Sequence, residues 1–207
     1  MNLFRYSLAF ALVACGSDSM LEEEDLSTGD LDAAEATDGP DPITFDFGMD
    51  DNTSWYAVND TVMGGVSTGE VYYTDAEMVF EGTVSTDSNG GFTSVRSPDD
   101  NWDLRAYKTL TVRMKSEGQP FTMVLAHNPL WYQDQFRYDF DNETNDWIDI
   151  EIPLKDFELY SLQTGYPEPT GQTMRRSDRA NILHMEFISK LFEDGPFKLQ
   201  VDHVTFE

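Results

Sequence analysis

From Ile43 onward the chain alternates between short apolar runs and turn residues. In Leu110-Thr111-Val112-Arg113-Met114-Lys115 every second side chain is apolar, the period of a strand with one buried face. Lys198-Leu199-Gln200-Val201-Asp202-His203-Val204 alternates in the same way except at its tail. The pattern predicts strands over Ile43–Phe47, Glu70–Tyr73, Glu77–Ser85, Phe92–Arg96, Thr109–Lys115, Phe121–His127, Phe136–Phe140, Trp147–Ile152, Asn181–Ile188 and Phe197–Phe206. Turn chemistry separates them at Gly64-Gly65, Asn89-Gly90-Gly91, Gly118 before Pro120, Gly165 with Pro167 and Pro169, and Gly195-Pro196. No stretch sustains a 3.6-residue period. Many short strands with few helices predict an all-β sandwich or jelly roll.

The segment before Ile43 is different. Leu8–Ala14 is an apolar run behind a leader with one positive charge, Arg5. It is far shorter than the roughly 20 residues of a spanning helix. It closes on Leu12-Val13-Ala14-Cys15-Gly16, which resembles the lipobox of bacterial lipoproteins. The resemblance implies cleavage after a signal peptide at 1–14 and lipid on the Cys15 thiol. A fully modified cysteine carries three acyl chains, enough to anchor firmly where one would not. An Asp after the cysteine would favour inner-membrane retention, so Gly16 points to the outer membrane. The expected location is therefore the periplasmic or outer face of the envelope.

Residues 16–42 hold ten acidic side chains and no basic one. Such a stretch has too little apolar surface to fold and repels itself into an extended tether, with a reach of about 30 Å or more. Beyond it the 207 residues leave room for one domain, expected over 43–207. The net charge of -26 repels phosphate backbones, which argues against nucleic acid as a partner. It also leaves the lipid as the only route to a membrane. With a single cysteine, neither an internal disulfide nor a cysteine zinc site is available.

Two segments carry a more specific signal. One is Trp55-Tyr56-Ala57-Val58-Asn59-Asp60-Thr61-Val62-Met63-Gly64-Gly65-Val66-Ser67. The other runs from Phe80-Glu81-Gly82 to Gly90-Gly91-Phe92-Thr93-Ser94-Val95-Arg96. Together they resemble the signature of the complex I intermediate-associated (assembly factor) family, and looser matches follow at Ile152–Phe157 and Gly195–Asp202. The resemblance implies a galactose-binding-like jelly-roll β-sandwich over residues 43–207. It also implies a non-catalytic role in protein binding or assembly. Family members in mitochondria help to build complex I. The lipobox places this chain across the membrane from the peripheral arm of the bacterial enzyme, so what transfers is a binding or chaperone-like role toward an envelope protein or complex. Both segments read as strand-joining corners, with Trp55, Phe92 and Val95 in the core. Asp60 and Arg96 are expected to pair, with Asn59 satisfying backbone groups. The alternative places Trp55, Asn59, Asp60 and Arg96 in a ligand pocket.

Other chemistry is sparse. His127, His184 and His203 lie on separate predicted strands without metal-ligand spacing, and GxSxG, GxxxxGK[ST] and GxGxxG are all missing. No cofactor is implied. The run from Asp139 mimics an EF-hand opening but fails, with Thr144 at the sixth position and Ile150 at the twelfth. Asp46, Asp50 and Asp51 offer oxygens for a structural calcium near the first strand, although a plain acidic turn is the preferred reading. Trp131 and Tyr132 form a loop pair that reads either as a sugar platform or as a cap on the core. Tyr160 and Tyr166 flank another loop. These aromatics support a second functional reading, an envelope carbohydrate-binding module.

Overall fold

The computed structural model describes residues 39–48, 54–130, 132–140, 144–189 and 192–207. In chain order its strands begin with β1 (Ile43–Asp46), β2 (Tyr56–Asn59), β3 (Thr68–Tyr73), β4 (Met78–Val84), β5 (Thr93–Arg96) and β6 (Thr109–Glu117). They continue with β7 (Phe121–Ala126), β8 (Gln135–Asp139), β9 (Thr144–Pro153), β10 (Glu158–Ser161), β11 (Glu168–Thr173), β12 (His184–Ser189) and β13 (Gly195–Phe206). Among the described residues the only helical elements are short 3-10 turns.

The strands form two antiparallel sheets. One has the order β3-β4-β13-β6-β9, with β1 also pairing β13, and the other runs β11-β10-β8-β7-β12-β5-β2. The inner faces meet in one core. Phe47 packs edge-on to Trp55 at 5.3 Å between ring centroids, Trp55 stacks on Phe187 at 5.9 Å, and Phe187 stacks on Phe140 at 6.2 Å. These rings tie the start of the domain to the middle of the seven-stranded sheet.

All ten predicted strands are present, because alternation and turn chemistry agree locally. β6 alternates along its whole length, with Leu110, Val112, Met114 and Ser116 buried. β13 breaks alternation at its tail for a specific reason. Val201 pairs Met114 and His203 pairs Arg113, so Asp202 is an extra residue. This bulge brings Val204 back inward, where strict alternation would have pointed it to solvent. Three strands lie outside the expectation: β2, β10 and β11. The segment holding Tyr160 and Tyr166 is accordingly a hairpin rather than a loop. Residues of β11 are exposed throughout and include Pro169 and Gly171, a composition tolerated at a sheet edge.

Candidate functional site

The glycine-rich segments converge on one carboxylate. Asp60 is fully buried and opens a 3-10 turn that Gly64 ends at φ 87°. Its Oδ2 accepts the Ser67 hydroxyl at 2.6 Å and the Gly91 N–H at 2.8 Å, and its Oδ1 accepts the Ser67 N–H at 3.1 Å. The Phe92 N–H adds a longer bond at 3.3 Å. Burial pushes this carboxyl up, but the bonds from Ser67, Gly91 and Phe92 together outweigh it and hold it below the usual carboxylate value. A Cβ on Gly65 would overlap the Asp60 carboxylate, so the second glycine of the pair is there for space. Asn59 closes the corner by donating to the Gly69 carbonyl at 3.2 Å and accepting from the Thr93 hydroxyl. Two corners are thus locked together, as expected, but by other partners.

Asp60 does not pair with Arg96. Asp60 adjoins the start of β5, whereas Arg96 ends that strand and bonds Glu186 of β12 at 3.1 Å. Trp55 is a core side chain, 4% exposed, and Val95 is buried beside it. Phe92 is not part of that core. It packs with Val124, Ala126 and Ile188 in a separate cluster, on the outer face of the seven-stranded sheet.

That outer face holds a second set of buried polar groups. Strand register lines up Tyr56, Arg96, Glu186, Val124, Arg137 and Glu158 in one row across β2, β5, β12, β7, β8 and β10. His184 and Ser94 stand beside this row, two residues along β12 and β5. Glu186 is 1% exposed, His184 2% and Arg137 6%. Even so, Ser94 Oγ, Arg96 Nε, Arg137 Nε, His184 Nε2 and Glu186 Oε2 are buried without a hydrogen-bond partner. Burial pushes Arg96 down, and Glu186 and Tyr56 more than restore it. Burial, with Arg96 adding, holds His184 below its usual value against the opposing pull of Glu186 and Asp99, although its Nδ1 lies 2.9 Å from Asp99. His184 is therefore neutral near pH 7. Tyr56, 45% exposed, stands at one end of the row, and Tyr160 lies 5.8 Å from the Arg137 guanidinium at the other.

An aromatic pair spans this face. Tyr166, in the β10–β11 turn, lies 5.0 Å from Phe192, in the β12–β13 connection. By strand register, that turn leaves the sheet at the end where β12 begins, and Phe192 follows the end where β12 finishes. The contact therefore arches over the face from one end to the other.

The remaining expected residues fall elsewhere. Cys15, Asp50, Asp51 and Trp131 lie outside the described residues. Asp46 accepts the Gly48 N–H at 3.0 Å, and no group of three metal-ligating side chains occurs among the described residues. Tyr132 is 44% exposed. A groove of about 580 Å³ opens beside Asn59 between Gly69, Glu70, Glu81 and Gly82 on the β3–β4 edge, but none of its lining groups is a buried polar atom left without a partner. Sequence reasoning missed Arg137 and Glu186, named His184 only as a lone strand histidine, and placed Tyr160 among the aromatics flanking a loop. The available signal was the charge within apolar runs, as in Met185-Glu186-Phe187 and Phe136-Arg137-Tyr138, which reads equally as a solvated strand face.

The profile of the complex I intermediate-associated protein 30 (CIA30) family matches residues 45–201. The chain belongs to that family. Curated proteins give no significant match. The CIA30 domain is similar in fold to a family 11 carbohydrate-binding module from Clostridium thermocellum, solved with a β-1,3-1,4-mixed-linked tetrasaccharide. The TM-score is 0.54 at 20% identity, over 80% of this chain and 94% of that one. The family 11 module of the cellulase Lic26A-Cel5E from the same organism gives 0.56 at 19% identity, over 80% and 93%. An agarase, AgWH50C, gives 0.52 at 13% identity, over 80% of this chain and 24% of the enzyme. The CIA30 domain is therefore a galactose-binding-like β-sandwich of the kind used by carbohydrate-binding modules.

Proposed function

We propose that this CIA30 domain is a non-catalytic module that binds a glycan on the outer face of its seven-stranded sheet. The observation that carries the reading is the set of buried, unpartnered polar atoms between Tyr56 and Tyr160. Leaving such groups unmade costs about 1–3 kcal/mol each, so they point to a partner that completes them. Sugar hydroxyls donate and accept at once. The face presents donors at Arg96 and Arg137, an acceptor at Glu186, and groups of either kind at Ser94 and His184. Glu186 is paired with Arg96 through Oε1, which leaves its Oε2 to accept a hydrogen bond. The two tyrosines offer ring faces for the CH groups of a pyranose. The related fold that was solved with a tetrasaccharide supports the same reading.

Protein binding at the envelope is the second reading, favoured by CIA30 membership and by exposed Leu130 and Tyr132. Under either reading, lipid on Cys15 holds the domain at the outer membrane. A glycan array probed with the full chain separates the two. Glycan binding that weakens about tenfold in Tyr160→Ala, with unchanged melting, is the expected result. No glycan bound, with a defined membrane complex captured by crosslinking, would overturn it in favour of the protein reading. A Cys15→Ser chain that still fractionates with membranes would refute the anchor.

A further inference from the structure

The cations on the outer face are not equally balanced. Arg96 has Glu186 at 3.1 Å. Arg137, at the middle of β8, is more deeply buried and has no carboxylate within ion-pair distance among the described residues. One terminal nitrogen donates to Gln135 Oε1, a neutral acceptor, at 3.1 Å, and Tyr160 lies 5.8 Å away. Its Nε has no partner. Burial pushes this guanidinium down, and Glu186, Asp139 and Tyr160 oppose the shift without cancelling it. Arg179 is nearly as buried, donates to the Tyr107 carbonyl at 2.9 Å and also has an unpartnered Nε, but it sits in a 3-10 turn outside the strands of this sheet. In a chain of net charge -26, where carboxylates are plentiful, a buried arginine left without one is informative.

We propose that the ligand brings the missing carboxylate, so that the site takes a glycan bearing a uronic-acid residue, whose carboxylate Arg137 receives. The inference rests on the glycan reading above. A neutral hydroxyl would fill the Nε hydrogen bond but leave the buried charge uncompensated. A carboxylate does both, in the paired geometry that the guanidinium fork favours. The acidic surface repels a densely charged polyanion at long range, which selects a mostly neutral glycan with occasional uronates.

The test is calorimetric titration of the full chain with an aldotetraouronic acid, three xyloses carrying one glucuronate, and with its methyl ester, which removes the charge and adds one methyl group. The acid is expected to bind at least tenfold more tightly than the ester. In Arg137→Gln the difference should shrink to less than twofold. Equal binding of acid and ester overturns the inference and leaves the glycan reading standing. Binding of neither, while the array shows a neutral glycan bound, also overturns it. No glycan bound at all removes both. Should Arg137→Gln fail to fold, the comparison of acid with ester on the unaltered chain decides alone.

Discussion

Two regions of this domain bury charged side chains, and they treat them in opposite ways. Around Asp60 the carboxylate collects four hydrogen bonds from Ser67, Gly91 and Phe92, and the glycines leave it room. On the outer face of the seven-stranded sheet, Arg137, Glu186 and His184 are enclosed and Arg96 partly so, and each keeps an unfilled atom. Completed polar groups hold the scaffold together. The uncompleted ones on the outer face are where we propose that a ligand binds. The family signature in the sequence describes the first region and also supplies Tyr56, Ser94 and Arg96 of the second, while Arg137, Glu186 and His184 lie on strands outside it.

The comparison breaks most sharply at Asp60. Asp60→Ala strands the Ser67 and Gly91 donors at a cost of about 1–3 kcal/mol each. Urea denaturation should show a loss of about 3 kcal/mol or more. A loss of less than about 1 kcal/mol would mean the corner is not structural. Arg137→Met tests the other side, because replacing an uncompensated buried charge by an apolar side chain is often neutral or stabilising. Its stability should stay within about 1 kcal/mol of the parent, or rise, while glycan binding is lost. A marked destabilisation would assign Arg137 to the scaffold. Tyr160→Ala should weaken glycan affinity about tenfold, or about 1.4 kcal/mol, at an unchanged melting temperature.

The smallest effect separates the regions by pH. His184 is held below its usual value in the fold, so the unfolded chain takes up its proton first. Its influence on stability is absent above about pH 6.5 and grows as a loss while the pH falls below that value. Asp60 is held below the usual carboxylate value, so its contribution is intact above about pH 4 and disappears only as the pH falls through its folded value. Thermal melts between pH 7 and 5 should therefore show a decline that His184→Gln reduces and that does not involve Asp60. A decline of the same size in His184→Gln would overturn this assignment.

Much of the fold was legible because it is local. Alternation in β6 and glycine-marked turns need no knowledge of distant strands. The shortest and most exposed pieces were not legible: β2 has four residues, and β11 combines Pro169 and Gly171 with full exposure. The site was hidden for a different reason. Arg96 was visible, but its partner Glu186 lies 90 residues further on, and only strand order and register bring β12 beside β5. Arg137 reads as a charge on a solvated strand until the folded chain buries it. Asp60 and Arg96 belong to the same family signature, yet Asp60 lies beside the start of β5 and Arg96 at its end.

The Tyr166–Phe192 contact also bears on time. An open platform admits a long polymer broadside, at a rate set by encounter. A face bridged by this ring pair admits it only by threading a free end or by parting the two rings. Both routes slow entry and exit together. Surface plasmon resonance should then show slow association and long residence on the parent chain. In Tyr166→Ser both rates should rise, with the dissociation constant changing less than either. Parent and variant with equal rates would mean that the bridge does not gate the face. That slowness would make an encounter with a polymer persist long after it began.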